Sequence, residues 1–206
     1  MSITATAVKQ LRDSTGAGMM DCKRALTEAN GDVEAAKDLI KKWGLAGIEK
    51  RASRAAKEGA IGYYIHQLDP ELPPKKGVLV ELNSETDFVA KTPEFKELAR
   101  NIAMHVAALE PRWVSRSDVP EEIVEREKKI FRESDQFKGK PENVIEKIME
   151  GKLNALFADR GGVLLEQKYI KDETGKKTVG DLVSDFAASV KENVGVRRFV
   201  RFAVGE

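Results

Sequence analysis

Apolar positions over the first 55 residues recur at helical spacing and fall into three short pieces. Ile3, Ala7, Val8 and Leu11 form one stripe, interrupted at Ser14-Thr15-Gly16-Ala17-Gly18. A second helix is predicted from about Met19 to Ala29, stopping at Asn30-Gly31, a pair suited to a left-handed cap. Asp32 can cap a third helix, with Val33, Ala36, Ile40 and Trp43 on one face and Gly44 expected to end it. Helices this short do not stand alone in water, so the three must pack on one another. A bundle of that size is suited to binding rather than catalysis. Residues 45–58, "LAGIEKRASRAAKE", predict a separate charged helix with Lys50, Arg51, Arg54 and Lys57 on one side. A solvated connecting helix explains them simply, because a nucleic-acid face would want interleaved aromatics or a larger basic excess.

From Gly59 the period changes to two. "AIGYYIHQ" and "GVLVELN" read as strands of an antiparallel hairpin, joined by a loop from Leu68 to Lys76 with three prolines. Thr92-Pro93 opens a helix whose buried stripe is Phe95, Leu98, Ile102, Val106 and Leu109, as far as Pro111. Residues 120–134 predict a highly charged, mostly exposed helix. Pro141 opens another, with Ile145, Ile148, Met149, Leu153 and Leu156 facing inward. "VLLEQKYI" reads as a strand, Thr178 with Asp181 opens a further helix through Phe186 and Val190, and "VGVRRFVRFAV" reads as a closing strand. The expected fold class is α+β: a three-helix module over residues 1–55, then a core over residues 56–206 with a small antiparallel sheet packed by helices.

Composition narrows the functional classes. In 206 residues, 35 basic and 34 acidic side chains nearly cancel, so nothing overall points to nucleic acid, a membrane or an acidic substrate. The N-terminal stretch lacks the apolar core of a signal peptide, and no run reaches membrane-spanning length. One cysteine, Cys22, cannot form an intrachain disulfide and fits a reducing compartment, so a soluble cytoplasmic protein is expected.

Enzyme signatures are missing. There is no P-loop, no GxGxxG after a strand and no GxSxG, and Gly16-Ala17-Gly18 is too small a fragment to claim a phosphate. His66, His105 and Cys22 offer no usual zinc spacing, so neither a metal nor a cofactor is expected. Attention falls instead on "ELNSETDFVAKTPEF", residues 81–95, where an acid and two bulky apolar groups sit in the connection between a strand and a helix.

Two segments in order carry a family likeness. "LRDSTGAGMMDCKRALTEANGD", residues 11–32, resembles the N-terminal signature of the bacterial translation elongation factor Ts family, and "VELNSETDFVAK", residues 80–91, resembles its second signature. "IAMHVAALEPRWV" and "VRRFVRFAVGE" match as well, so the resemblance covers essentially the whole chain. It implies a non-enzymatic guanine-nucleotide exchange factor for the GTPase elongation factor Tu, with a ubiquitin-associated-like N-terminal module. It further implies the short form of the family, with one core unit and no evident helical hairpin insertion. Two copies then pair as a homodimer that engages the GTPase as a 2:2 complex. Val200 in "RRFVRF" stands where a short-form relative can carry a bridging cysteine.

The likeness also implies roles for single residues. Asp87 and Phe88 would touch the GTPase beside its Mg²⁺ site, Phe88 as a wedge, with Thr86 and Val89 orienting the loop. Read from spacing alone, Phe88 could instead staple onto the Thr92 helix or its own sheet, and Asp87 could be a turn-former or a cap. His105, at the edge of an apolar stripe, is either a satisfied core residue or, by resemblance, a partner-binding residue that backs Phe88 at the GTPase surface. Arg12, Met19 and Met20 would be the module's contacts, with core methionine as the bland alternative. A binding module for RNA or another protein through residues 50–57, and an enzyme using His105, are the competing readings.

Overall fold

The computed structural model describes residues 3–67, 69–133 and 141–206. Leu68, where the proline loop was expected to begin, and Ser134, the expected end of the charged helix, lie outside the described residues. In chain order the elements are α1 (Ala5–Thr15), α2 (Met19–Glu28), α3 (Val33–Arg51), β1 (Glu58–His66), β2 (Lys76–Ser84), α4 (Asp87–Ala90), α5 (Pro93–Leu109), α6 (Glu121–Arg132), α7 (Glu142–Ala158), α8 (Val179–Val190) and β3 (Gly195–Ala203). The fold is α+β, with three N-terminal helices and an antiparallel sheet in the order β1-β2-β3. The chain divides into two compact units. One takes in residues up to Gly59, Asn83–Ala90 and Val183–Gly195; the other takes in Ala60–Leu82, Lys91–Leu182 and Val196–Glu206.

In the first unit, local chemistry sets the helix ends. Thr4 caps α1 by accepting the Ala7 N–H at 3.2 Å, and Gly16, at φ 68°, closes it by donating to the Arg12 carbonyl at 2.8 Å. Asn30 and Gly31 both take positive φ after α2, and the Gly31 N–H reaches back to the Leu26 carbonyl. Asp32 then accepts the N–H groups of Glu34 and Ala35 to start α3. Val8, Leu11, Cys22, Ala25, Leu26 and Ala36 form the core, with Ile40 and Trp43 packed against it.

Gly44 does not end α3, which continues to Arg51. A Cβ at Gly44 would lie 3.3 Å from the Ala188 Cβ of α8, so this glycine serves helix packing and the tertiary contact overrides its weak helix propensity. The separate helix expected over residues 45–58 is therefore absent. Its first half extends α3, a turn follows, and Glu58 opens β1. Lys50 and Arg51 close α3 while Arg54 and Lys57 lie beyond it, so the four cations share no helix face.

In the second unit, Thr92 accepts the Phe95 N–H at 3.2 Å, Pro93 opens α5, and Phe95, Leu98, Ile102 and Val106 are buried. The even positions Val78, Val80 and Leu82 of β2 are buried too. β1 crosses α5 at Gly62, where a Cβ would sit 2.4 Å from the Ala99 carbonyl oxygen; only a residue without a side chain allows this approach. The odd positions Ile61, Tyr63, Ile65 and Leu79, with Val200 and Phe202 of β3, are exposed on the sheet.

α6 and α7 pack on each other, forming a helical pair although no hairpin was evident in the sequence. Val119, Leu153, Phe157 and Val163 make its core, with Trp113 edge-on to Phe157 at 6.2 Å. Leu156, expected inward, is exposed; the buried row steps by four through Met149, Leu153 and Phe157, leaving Leu156 beside it. "VLLEQKYI" is not a strand. It holds a 3-10 turn at Leu164–Glu166 and pairs through isolated bridges, Trp113–Val163 and Lys168–Thr178, rather than through a ladder. Thr178 and Asp181 form a reciprocal cap at the start of α8, with the Asp181 N–H donating to Thr178 Oγ1 at 3.0 Å and the Thr178 N–H donating to Asp181 Oδ2 at 2.9 Å.

Candidate partner-binding site

The connection from β2 to α5 is a tight, internally bonded turn. Ser84, fully buried, donates its hydroxyl to the Thr86 carbonyl at 2.9 Å. The Thr86 hydroxyl accepts the Val89 N–H at 3.4 Å, which starts the one-turn helix α4. Two positions apart on that turn, Phe88 and Ala90 point to opposite sides. Ala90 is buried and Phe88 is 80% exposed, so the ring is neither a staple nor a core residue. Asp87 and Val89 are half-buried. An aromatic ring held out from a short bonded turn is poorly explained by folding and well explained by a partner.

The turn is braced from far along the chain. Glu192 accepts both Thr86 donors, the N–H at 3.1 Å on Oε2 and the hydroxyl at 2.6 Å on Oε1. Next to it, the Asn193 N–H donates to Glu85 Oε1 at 2.6 Å, and the Asn193 side-chain amide donates to the Arg54 carbonyl at 2.8 Å. Arg54 in turn pairs with Glu85 at 3.5 Å. Lys191, in the left-handed region at φ 60° just past α8, extends to Asp21 at 2.9 Å.

Asp21 follows Met19 and Met20 at the start of α2, and these methionines are 46% and 73% exposed. Arg12 is exposed on α1, beside Asp13 at 3.5 Å. Arg12, Met19, Met20, Thr86, Asp87, Phe88 and Val89 thus belong to the first unit. Through Lys191 and Glu192, one bonded path joins the methionine-bearing end of α2 to the turn that carries Phe88.

His105 belongs to the second unit and is fully buried. Its Nδ1 accepts the Ile170 N–H at 3.3 Å, and its Nε2 lies 3.0 Å from Gln167 Oε1. The Gln167 amide nitrogen donates to the Asp159 carbonyl at 2.8 Å and the Leu109 carbonyl at 3.3 Å, which turns its oxygen toward the imidazole. His105 is therefore the neutral tautomer with the proton on Nε2. Burial lowers its pKa, and the bond to Gln167 partly opposes this.

Glu85, Glu192 and Asn193 were not foreseen. "KENVG" carries no local signal for its role, because the Thr86–Glu192 contact spans 106 residues. Among the described residues no cluster of three or more His, Cys, Asp or Glu is arranged to hold a metal, and no helix is long and apolar enough to cross a membrane.

Comparison with known proteins decides the family. The sequence profile described as Elongation factor TS matches residues 3–206. The chain belongs to the elongation factor Ts family. It is 55% identical over 204 residues to Elongation factor Ts of Thermosipho melanesiensis, covering 99% of this chain and 100% of that one. It is 52% identical over 206 residues to Elongation factor Ts of Fervidobacterium nodosum, with full coverage of both, and 52% identical to that of Geobacter metallireducens, covering 91% of the relative. Membership of the elongation factor Ts family makes the chain a translation elongation factor.

Proposed function

We propose that this chain binds elongation factor Tu in the cytoplasm and speeds release of its GDP, performing no chemical reaction of its own. The exposed Phe88, held on a bonded turn, is the observation that carries this reading. GDP is held on a GTPase by contacts to its phosphates and by Mg²⁺, which requires near-ideal octahedral geometry. A factor that binds best when those contacts are displaced weakens the nucleotide without touching it. Burying a phenylalanine ring contributes about 2–3 kcal/mol. Applied to the displaced state, that weakens GDP by roughly one to two powers of ten. Linkage makes the effect reciprocal, so nucleotide rebinding expels the factor.

Asp87 contributes polar contact beside the ring, Thr86 and Val89 set the turn, and Arg12, Met19 and Met20 form a second contact patch. His105 serves as a buried support of α5 rather than a surface contact. The functional form is a homodimer giving a 2:2 complex. Supporting this, the sheet turns an apolar face of Ile61, Tyr63, Ile65, Leu79, Val200 and Phe202 to solvent, a composition suited to pairing with an identical face.

The test preloads elongation factor Tu with fluorescent GDP and chases with unlabelled GDP, with and without catalytic amounts of this protein. Release accelerated by about tenfold or more is expected. Unchanged release with folded protein would sink the proposal.

A further inference from the structure

We infer that Glu192, braced by Lys191 and Asn193, is a positioning residue for exchange that holds the Phe88 turn in its binding conformation before the partner arrives. This rests on the exchange reading and adds residues that neither the family signatures nor the local sequence singles out. The argument starts from donor counts. Thr86 presents two donors to one side, its N–H and its hydroxyl, and a carboxylate is the side chain that offers two acceptors to match them. Inside the turn, the Thr86 carbonyl and hydroxyl take Ser84 and Val89. With Glu192 in place, every polar group of Thr86 is engaged, which leaves the turn one conformation.

The brace is itself anchored on both sides. Lys191 takes a left-handed backbone conformation that favours glycine, and its side chain is spent on Asp21. Asn193 closes on Glu85 and on the carbonyl of Arg54. These three consecutive residues therefore reach α2, the turn after α3 and the Phe88 turn at once. Pre-ordering a loop removes the entropy cost of ordering it on binding, and that gain goes to the contact made by Phe88.

Two measurements on the full chain test this. The first needs no partner: amide hydrogen exchange of Thr86, followed by NMR in wild type and Glu192→Ala. Thr86 should be protected in wild type and lose protection by about tenfold or more in the variant, while amides within α5 stay unchanged. Equal Thr86 protection in both overturns the brace.

The second measures GDP release from elongation factor Tu at factor concentrations well below saturation, where the rate reports affinity as well as turnover. Glu192→Ala should slow release about tenfold. Glu192→Gln should fall between it and wild type, because a carboxamide keeps one acceptor and turns a donor toward the other Thr86 donor. Adding Phe88→Ala to Glu192→Ala should cost little more than Phe88→Ala alone, since both act through one ring. Fully additive losses would mean that Glu192 acts apart from Phe88 and would overturn the inference. Wild-type protein that fails to speed release overturns the exchange reading instead, and Thr86 protection then still decides whether the brace exists.

Discussion

His105 and Gln167 fix each other's orientation inside the second unit: the carboxamide oxygen sits 3.0 Å from the imidazole Nε2 because its nitrogen is committed to two backbone carbonyls. The pair has a pH consequence. Burial lowers the His105 pKa below its ordinary 6.5, so the native state binds a proton less readily than the unfolded chain. The unfolded state then takes up more protons as pH falls below about 6.5, and stability declines with acid in that range. Urea midpoints at about pH 8 and about pH 5.5 should show this loss in wild type and not in His105→Gln. Gln167→Leu, which leaves the Nε2 proton without an acceptor, should cost about 1–3 kcal/mol at neutral pH.

Phe88→Ala separates function from folding. With the ring 80% exposed, truncation should change the unfolding free energy by less than about 0.5 kcal/mol. GDP release from elongation factor Tu should slow by about tenfold or more, from the 2–3 kcal/mol assigned to burying the ring. Parallel melts and release kinetics on the same preparation check both halves. A variant that exchanges like wild type would show that the ring does not act as a wedge.

The features legible in the sequence are those whose chemistry closes within a few residues. Thr92 with Pro93, Thr178 with Asp181, and Asn30 with Gly31 announce helix ends because donor and acceptor lie within a turn or so of each other. Period-two alternation over 58–66 and 76–84 is local in the same way. Gly44 misled because its reason is Ala188, far along the chain, and "VLLEQKYI" misled because its short apolar run enters a 3-10 turn with isolated bridges instead of a ladder. At the site, Phe88 could be singled out as a bulky apolar residue between two polar neighbourhoods. Glu192 could not, since nothing in "KENVG" tells which distant backbone it satisfies.

Two glycines make a paired test of packing. Gly62→Ala places a Cβ 2.4 Å from the Ala99 carbonyl oxygen, which forces β1 away from α5. It should destabilise by about 3 kcal/mol, at the upper end of overpacking costs. Gly151, inside α7, has open space around its Cβ position. Gly151→Ala should therefore stabilise by about 0.5–1 kcal/mol through helix propensity. Urea unfolding of both variants checks the pair, and opposite signs are required.

The exposed sheet face makes the last prediction. Tyr63 and Phe202 are 67% and 71% exposed, on β1 and β3 at the two edges of the sheet, with Ile61, Ile65, Leu79 and Val200 beside them. An apolar face of this kind on a monomer favours self-association, and pairing two copies face to face removes it from water. Sedimentation equilibrium should show a dimer for wild type. Phe202→Glu places a charge on that face, where burial without a partner costs far more than exposure does. The variant should sediment as a monomer with its own unfolding transition intact, because a side chain this exposed contributes little to the fold of one copy. A wild-type chain that is monomeric at high concentration would refute the pairing and leave the face to another partner; a variant that stays dimeric would move the interface elsewhere on the molecule.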